Sequence, residues 1–205
     1  VKNFLKFKIV KIKSKQKEYE IQITNKHEKN ISFAIAVLEC LNLNIGKVID
    51  KIKNIETLEG RGKIYKVKLK NLNFNLIDES YNANPLSMKE SIKNLSSIKI
   101  NSNKYILLGD MLELGRKSKI LHKNLSPLIN NANIKKVFVY GDNIINTYKN
   151  VKKNKRGNIL QHKSDFNEIL LPILKNNDYL MIKGSNATGL NKISKNLTKG
   201  KINVI

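Results

Sequence analysis

The chain has 205 residues, 40% of them hydrophobic, and carries 39 Lys and Arg against 16 Asp and Glu for a formal net charge of +23. That apolar content supports a real core and excludes a disordered tail; no apolar run approaches the roughly 20 residues that cross a bilayer, and no signal peptide is visible. The charge invites a nucleic-acid reading, but only Arg61, Arg116 and Arg156 are arginines, and the other 36 of the 39 are lysines spread over every segment. Such a pattern reads as a solvated surface, so nucleic acid is disfavoured as a partner and a lysine-rich polyanion-binding module is kept as the alternative. The expected compartment is the cytoplasm and the expected state a monomer. Cys40 stands alone in an apolar helical pattern and is expected to pack as a small hydrophobe.

The chain begins at Val1, inside what reads as a strand, so part of a larger protein is expected to be missing. Leu5, Phe7 and Ile9 alternate with lysines, and Tyr19, Ile21 and Ile23 alternate with Glu20 and Gln22 after a polar turn at Ser14 to Lys17. This predicts a hairpin with one wet face. A helix follows with Ile31, Ala34, Ile35, Leu38 and Leu41 on one side, then a shorter one capped near Asn44. Residues 1–58 are too few for a comfortable core of their own.

A turn at Gly60-Arg61-Gly62 opens the second region, residues 59–205. Tyr65, Val67 and Leu69 alternate with lysines, and Phe74 to Glu79 form a strand that runs into Ser80-Tyr81-Asn82-Ala83. Asn84 is a predicted N-cap with Pro85 at the first helical position, and Met88, Ile92 and Leu95 give that helix one apolar face. Nearly continuous apolar strands follow at Tyr105–Leu108, Val137–Tyr140 and Tyr179–Ile182, as expected of parallel strands covered on both faces. Helices are predicted around Ile120 to Leu128, Phe166 to Ile173 and Leu190 to Leu197, with Pro127 and Pro172 kinking or shortening the first two. The fold class expected is α/β, a Rossmann-like and mostly parallel sheet.

Each core strand exits into a glycine beside a charged group: Gly109-Asp110, Gly141-Asp142 and Lys183-Gly184-Ser185. Glycine lets a ligand approach the backbone, and ligands bind at the carboxyl ends of such sheets. This edge, with Asp78, Tyr81 and Asn82, is the predicted binding edge. Gly184 to Gly189 has phosphate-loop glycine spacing, but Leu190-Asn191 stand where Lys and Ser/Thr are required. His27, His122 and His162 share no metal-ligand spacing, and no nucleophile elbow is present. None of the three histidines is expected to be a metal ligand, and a reaction must come from electrostatics and positioning or from residues outside this chain.

Asp78-Glu79-Ser80-Tyr81-Asn82-Ala83-Asn84-Pro85 with Ser87-Met88, then Leu108-Gly109-Asp110-Met111-Leu112-Glu113-Leu114-Gly115 and His122, resembles the Mur ligase family of peptidoglycan-precursor enzymes, in its D-alanyl-D-alanine-adding branch. Lys183-Gly184-Ser185, Gly60-Arg61-Gly62 and Asn30 to Val37 fall in that family's order. The resemblance implies that residues 1–58 are the end of a central ATP-binding domain and 59–205 the C-terminal Rossmann-like domain. It further implies an ATP- and Mg2+-dependent amide ligation, through an acyl phosphate, of D-alanyl-D-alanine to UDP-N-acetylmuramoyl-tripeptide. Carried over by position, Asn30 would meet the adenine and Arg61 the phosphates or ribose, while Asp78, Tyr81 and Asn82 complete the nucleotide site. Asp142, Asn143, Lys183 and Ser185 would face the dipeptide, its carboxylate against Lys183. Two departures stand out: the family's His-Asn-x-x-Asn helix entry reads Lys26 and His27 at its first two positions, and its paired aspartates read Asp78-Glu79. The phosphate loop and the magnesium-binding acids lie outside these residues, so the chain alone is expected to be inactive.

Overall fold

In a computed structural model, residues 8–13, 18–23, 28–53 and 57–200 are described, and the chain divides into two units, Val1–Thr57 and Leu58–Ile205. In the first, β1 (Lys8–Lys13) and β2 (Glu18–Ile23) pair antiparallel, followed by α1 (Glu28–Cys40) and α2 (Gly46–Lys53). The core is Ile21, Ile31, Ile35 and Ile45, with Leu38, Val48 and Ile49 packed against it. Ile31, Ile35 and Leu38 are the inward face of α1, whereas Ala34 and Leu41, predicted beside them, are exposed. Cys40 is also exposed rather than packed, because five residues past Ile35 is about 140° round a helix from it. The predicted strand positions Leu5 and Phe7, the Ser14 to Lys17 turn, and Lys26 and His27 lie outside the described residues.

In the second unit, six strands form one sheet: β3 (Lys63–Leu69), β4 (Leu72–Glu79), β5 (Lys104–Gly109), β6 (Lys136–Tyr140), β7 (Arg156–Leu160) and β8 (Tyr179–Lys183), in the order β3-β4-β8-β5-β6-β7. Only β3 and β4 pair antiparallel; every other pair is parallel. The mostly parallel α/β sheet expected from the near-continuous apolar strands is therefore present, and all six residues of β5 are buried. Strand β7 was not anticipated: its Arg156-Gly157-Asn158 start lacks the apolar run, since an edge strand needs to bury only part of itself.

Alternate strand residues feed two cores. Leu76, Leu107, Phe138, Leu180 and Ile182 point to one side, under α7 (Leu190–Thr198) and the segment Phe166 to Ile173. Ile77, Ile106, Leu108, Val137, Val139 and Met181 point to the other, under α3 (Pro85–Ser97), α5 (Ser126–Asn131) and α6 (Ile145–Tyr148), with α4 (Ser118–Lys123) packed against α6. The prolines act as predicted. Pro127 sits in the first turn of α5, so the apolar stretch around Ile120 to Leu128 is split into α4 and α5. Pro172 limits the other segment to a short π turn, Phe166–Leu170, and a 3-10 turn, Leu171–Ile173.

Candidate functional site

The carboxyl end of β4 is built as a frame with an exposed tip. The Asp78 carboxylate is buried and accepts from the Gly60 N–H at 3.1 Å, the Ser80 N–H at 3.2 Å and the Ser80 hydroxyl at 2.5 Å. Backbone bonds from Gly62 N–H to the Asp78 carbonyl (2.7 Å) and from Tyr81 N–H to the Gly60 carbonyl (3.1 Å) lock the two turns together. Gly60 has φ +71°, and a Cβ there would come within 2.8 Å of Tyr81 Cβ, so the Gly-Arg-Gly turn is glycine for reasons of both conformation and space. On this frame the Arg61 guanidinium lies 4.4 Å from the centroid of the Tyr81 ring, which is half exposed. Asn82 follows, exposed, its side-chain oxygen accepting from Ala83 N–H at 2.8 Å. Asn84 and Ser87 then close a reciprocal cap at the start of α3, at 2.8 and 3.1 Å, which fixes where the loop ends.

The end of β8 holds this loop from beneath. Lys183 is 1% exposed; its ammonium donates to the Asn82 carbonyl at 3.0 Å and to Glu79 Oε2 at 3.4 Å, Glu79 being its register partner on β4. Burial holds that ammonium below the ordinary lysine value of 10.5, the Glu79 carboxylate opposing the shift and the Arg61 charge adding to it. Two residues on, Ser185 Oγ donates to the Ala83 carbonyl at 3.5 Å and accepts from Leu112 N–H at 3.0 Å. The expectation that Lys183 faces a substrate carboxylate is thus not what the geometry favours; the ammonium is turned into the protein, toward the β4 loop.

The exit of β5 is turned inward in the same way. Asp110 Oδ1 accepts from Asn143 N–H at 3.0 Å and Ile144 N–H at 2.7 Å, capping the segment that enters α6. Buried His122 receives the Met111 N–H on Nε2 at 2.9 Å, while Nδ1 stands 2.7 Å from the Ser118 carbonyl, which places the ring proton on Nδ1. The predicted reason for the strand-end glycines also changes. A Cβ on Gly109 would meet Leu190 Cδ1 at 2.7 Å, one on Gly184 the Gly109 Cα at 3.0 Å, and one on Gly141 the Asp110 carboxylate at 2.7 Å. The protein's own atoms, not a ligand, occupy the space these glycines leave. Beside them a cleft of about 370 Å3 opens at the ends of β5, β6 and β7, lined by Asp110, Leu112, Tyr140, Asp142, Gln161 and Thr188 among others.

Of the predicted nucleotide residues, Arg61, Tyr81 and Asn82 share one exposed tip and Asp78 braces it from behind. Asn30 is exposed on α1 of the first unit. Of the predicted dipeptide residues, Asp142 lines the cleft, Asn143 contributes its N–H to Asp110, and Lys183 and Ser185 are buried beneath the β4 loop. Among the described residues, no group of three or more His, Cys, Asp or Glu side chains could hold a metal ion. No helix among them is long and apolar enough to cross a membrane. Sequence reasoning passed over Glu79 as the partner of Lys183, and over the bracing roles of Asp110 and His122. Glu79 and Asp110 stand in the two long motifs and His122 follows the second, and nothing local in the sequence gives their partners.

Comparison with known proteins adds to this geometry. The family described as "Mur ligase, glutamate ligase domain" matches residues 61–186. UDP-N-acetylmuramoyl-tripeptide--D-alanyl-D-alanine ligases of Rickettsia prowazekii and Bacillus subtilis are each 27% identical, over 80% and 75% of this chain and 35% and 34% of their own lengths. The chain therefore spans about a third of the length of these curated relatives. The fold is shared with MurF of Thermotoga maritima, solved in complex with ADP (TM-score 0.71, 20% identity, 95% of this chain and 44% of that one). It is shared too with MurF of Acinetobacter baumannii (TM-score 0.77, 19% identity, 94% and 43%). With a match running from the Gly-Arg-Gly turn to the loop after β8, the chain belongs to the Mur ligase family.

Proposed function

We propose that this chain contributes the nucleotide-closing part of an ATP-dependent ligase that joins D-alanyl-D-alanine to UDP-N-acetylmuramoyl-tripeptide in peptidoglycan precursor synthesis. The observation that carries the reading is the exposed pair of Arg61 over the Tyr81 ring, held beside Asn82 by a fully bonded Asp78 frame at the carboxyl edge of a parallel sheet. An exposed guanidinium neutralises phosphate charge, and an aromatic ring with a neighbouring amide suits the ribose or base. Similarity to ligases of that name, and a shared fold with a MurF solved with ADP, support the same reading.

In this proposal Arg61, Tyr81 and Asn82 meet the nucleotide. In the same reading the acids that hold magnesium and the phosphate loop are assigned to other residues of the working enzyme, and the chain alone does not ligate. The bound nucleotide would supply the phosphoryl group that activates a carboxylate toward an amine. The residues here bind and orient, and their worth is electrostatic. The cleft beside Asp142 is the open space near the same edge that a small second substrate could enter.

Isothermal titration of the chain with ADP tests this. Binding is expected, with a fall of about tenfold in Arg61→Ala, the size of one lost charge-assisted contact. No heat and no chemical-shift change with ADP would remove the reading. Tight binding of duplex DNA that falls steeply with salt would favour the polyanion alternative.

A further inference from the structure

Lys183 is among the largest fully buried side chains and carries a charge. A buried ammonium is costly unless its protons find acceptors, and two of its three are taken here, by the Asn82 carbonyl at 3.0 Å and Glu79 Oε2 at 3.4 Å. Both belong to the β4 exit. The bond to Asn82 is the shorter and bears directly on the loop, whereas Glu79 is already held in the β4 ladder opposite Lys183. Ser185, two residues past the end of β8, reaches the Ala83 carbonyl, so the successive carbonyls of Asn82 and Ala83 are gripped from one strand end. With Tyr81 N–H tied to the Gly60 carbonyl, the backbone that carries the ring beneath Arg61 is held on both sides.

We infer that Lys183 is a positioning residue for the nucleotide tip: its ammonium holds the Asn82 carbonyl and so sets Tyr81 and Arg61, and it touches no substrate. This rests on the nucleotide reading for its purpose but not for its geometry.

The test uses the chain labelled with 13C at its tyrosines, the Tyr81 signals assigned through Tyr81→Phe. Without nucleotide, Lys183→Met is expected to shift the Tyr81 ring signals toward those of a freely exposed tyrosine, and with ADP to lower affinity about tenfold. Glu79→Gln keeps the Asn82 bond and so leaves the Tyr81 signals in place, and it serves even if Lys183→Met folds poorly. Unchanged Tyr81 signals in Lys183→Met overturn the assignment. So does a Glu79→Gln chain whose Tyr81 signals move as far, since the ion pair would then order the turn. Loss of D-alanyl-D-alanine binding in Lys183→Met with Tyr81 undisturbed would return the lysine to the dipeptide. If the unsubstituted chain takes no ADP, the nucleotide reading fails, and the nucleotide-free spectra still decide what Lys183 does.

Discussion

The two long motifs at the sheet's carboxyl edge, the exit of β4 and the exit of β5, look equally functional in sequence and are built for opposite purposes. After β4, the buried Asp78 carboxylate takes three donors so that Arg61, Tyr81 and Asn82 can stand outside. After β5, the Asp110 and His122 side chains are spent inward, on the N–H groups of Asn143, Ile144 and Met111. One exit is a pedestal for exposed groups; the other is a joint that ties β5 to α4 and α6. A distinctive motif at a strand end is therefore evidence of demanding local geometry, and exposure decides whether that geometry serves binding or assembly.

The sharpest way to break this contrast is to remove the two aspartates. Asp110→Ala orphans two N–H groups and Asp78→Ala orphans the Gly60 N–H and both Ser80 donors, so each should destabilise the chain by roughly 3 kcal/mol in urea unfolding. Their effects on ligand should part. At a matched folded fraction, Asp78→Ala should lose most ADP affinity, because the Gly-Arg-Gly turn loses its anchor, while Asp110→Ala stays within about threefold of the parent. Equal losses of affinity would erase the distinction between pedestal and joint.

Next in size is His122→Phe, which fits the buried volume but leaves Met111 N–H without an acceptor, at a cost of about 2 kcal/mol. The bond from Thr147 Oγ1 to the His122 carbonyl (2.6 Å) is untouched by this change, so α4 and α6 should stay docked. Hydrogen exchange faster at Met111 and Leu112 than at Ile144 and Thr147 would show that the defect is confined to the β5 exit. Loss of protection throughout would instead mean that His122 supports the whole joint.

Legibility in the sequence followed the range of the interactions. The Asn84 cap, Pro85 at the helix start and the Met88, Ile92, Leu95 face were readable because each is settled within a few residues. The parallel strands were readable because burial on both faces leaves an apolar run. Strand β7 was not, since Gly157 is there to clear the Phe138 ring, with a Cβ reaching 2.6 Å from it, and sequence shows only a turn-like glycine. Lys183 shows the same dependence on range. Its partner Glu79 lies 104 residues away and is fixed by the β4–β8 register, which no local pattern reveals, so a solvent-facing lysine awaiting an anion was the natural reading. Arg61, Tyr81 and Asn82 were legible as a group only through the family-like motif, which says that they belong together and not which of them is exposed.

A smaller effect separates the buried cation from the exposed one. Because burial lowers the Lys183 value below 10.5, the unfolded chain holds a proton the folded chain lacks in the window between the folded value and 10.5. Unfolding free energy must rise with pH across that window, and the penalty is at its fullest below it. The tyrosines whose values are raised by burial, Tyr65 and Tyr105, act in the opposite sense and cancel when the parent is compared with Lys183→Met. The stability of the parent relative to Lys183→Met should therefore climb as pH approaches 10.5, and a flat difference would place the ammonium in solvent.

The smallest expected change in stability sits at the tip itself. Tyr81→Leu removes a half-exposed ring and its Arg61 contact, an interaction worth about 0.5 to 1 kcal/mol at an exposed site. Because the Asp78 bonds and the Tyr81 N–H to Gly60 bond are independent of the ring, urea unfolding should move by no more than that amount. ADP affinity should nevertheless fall several-fold, since Arg61 loses the surface that orients it. A side chain that matters more to the ligand than to the fold is what a pedestal is for. If Tyr81→Leu destabilised the chain as much as Asp78→Ala, the ring would be part of the frame, and the β4 exit would be a second joint like the one after β5.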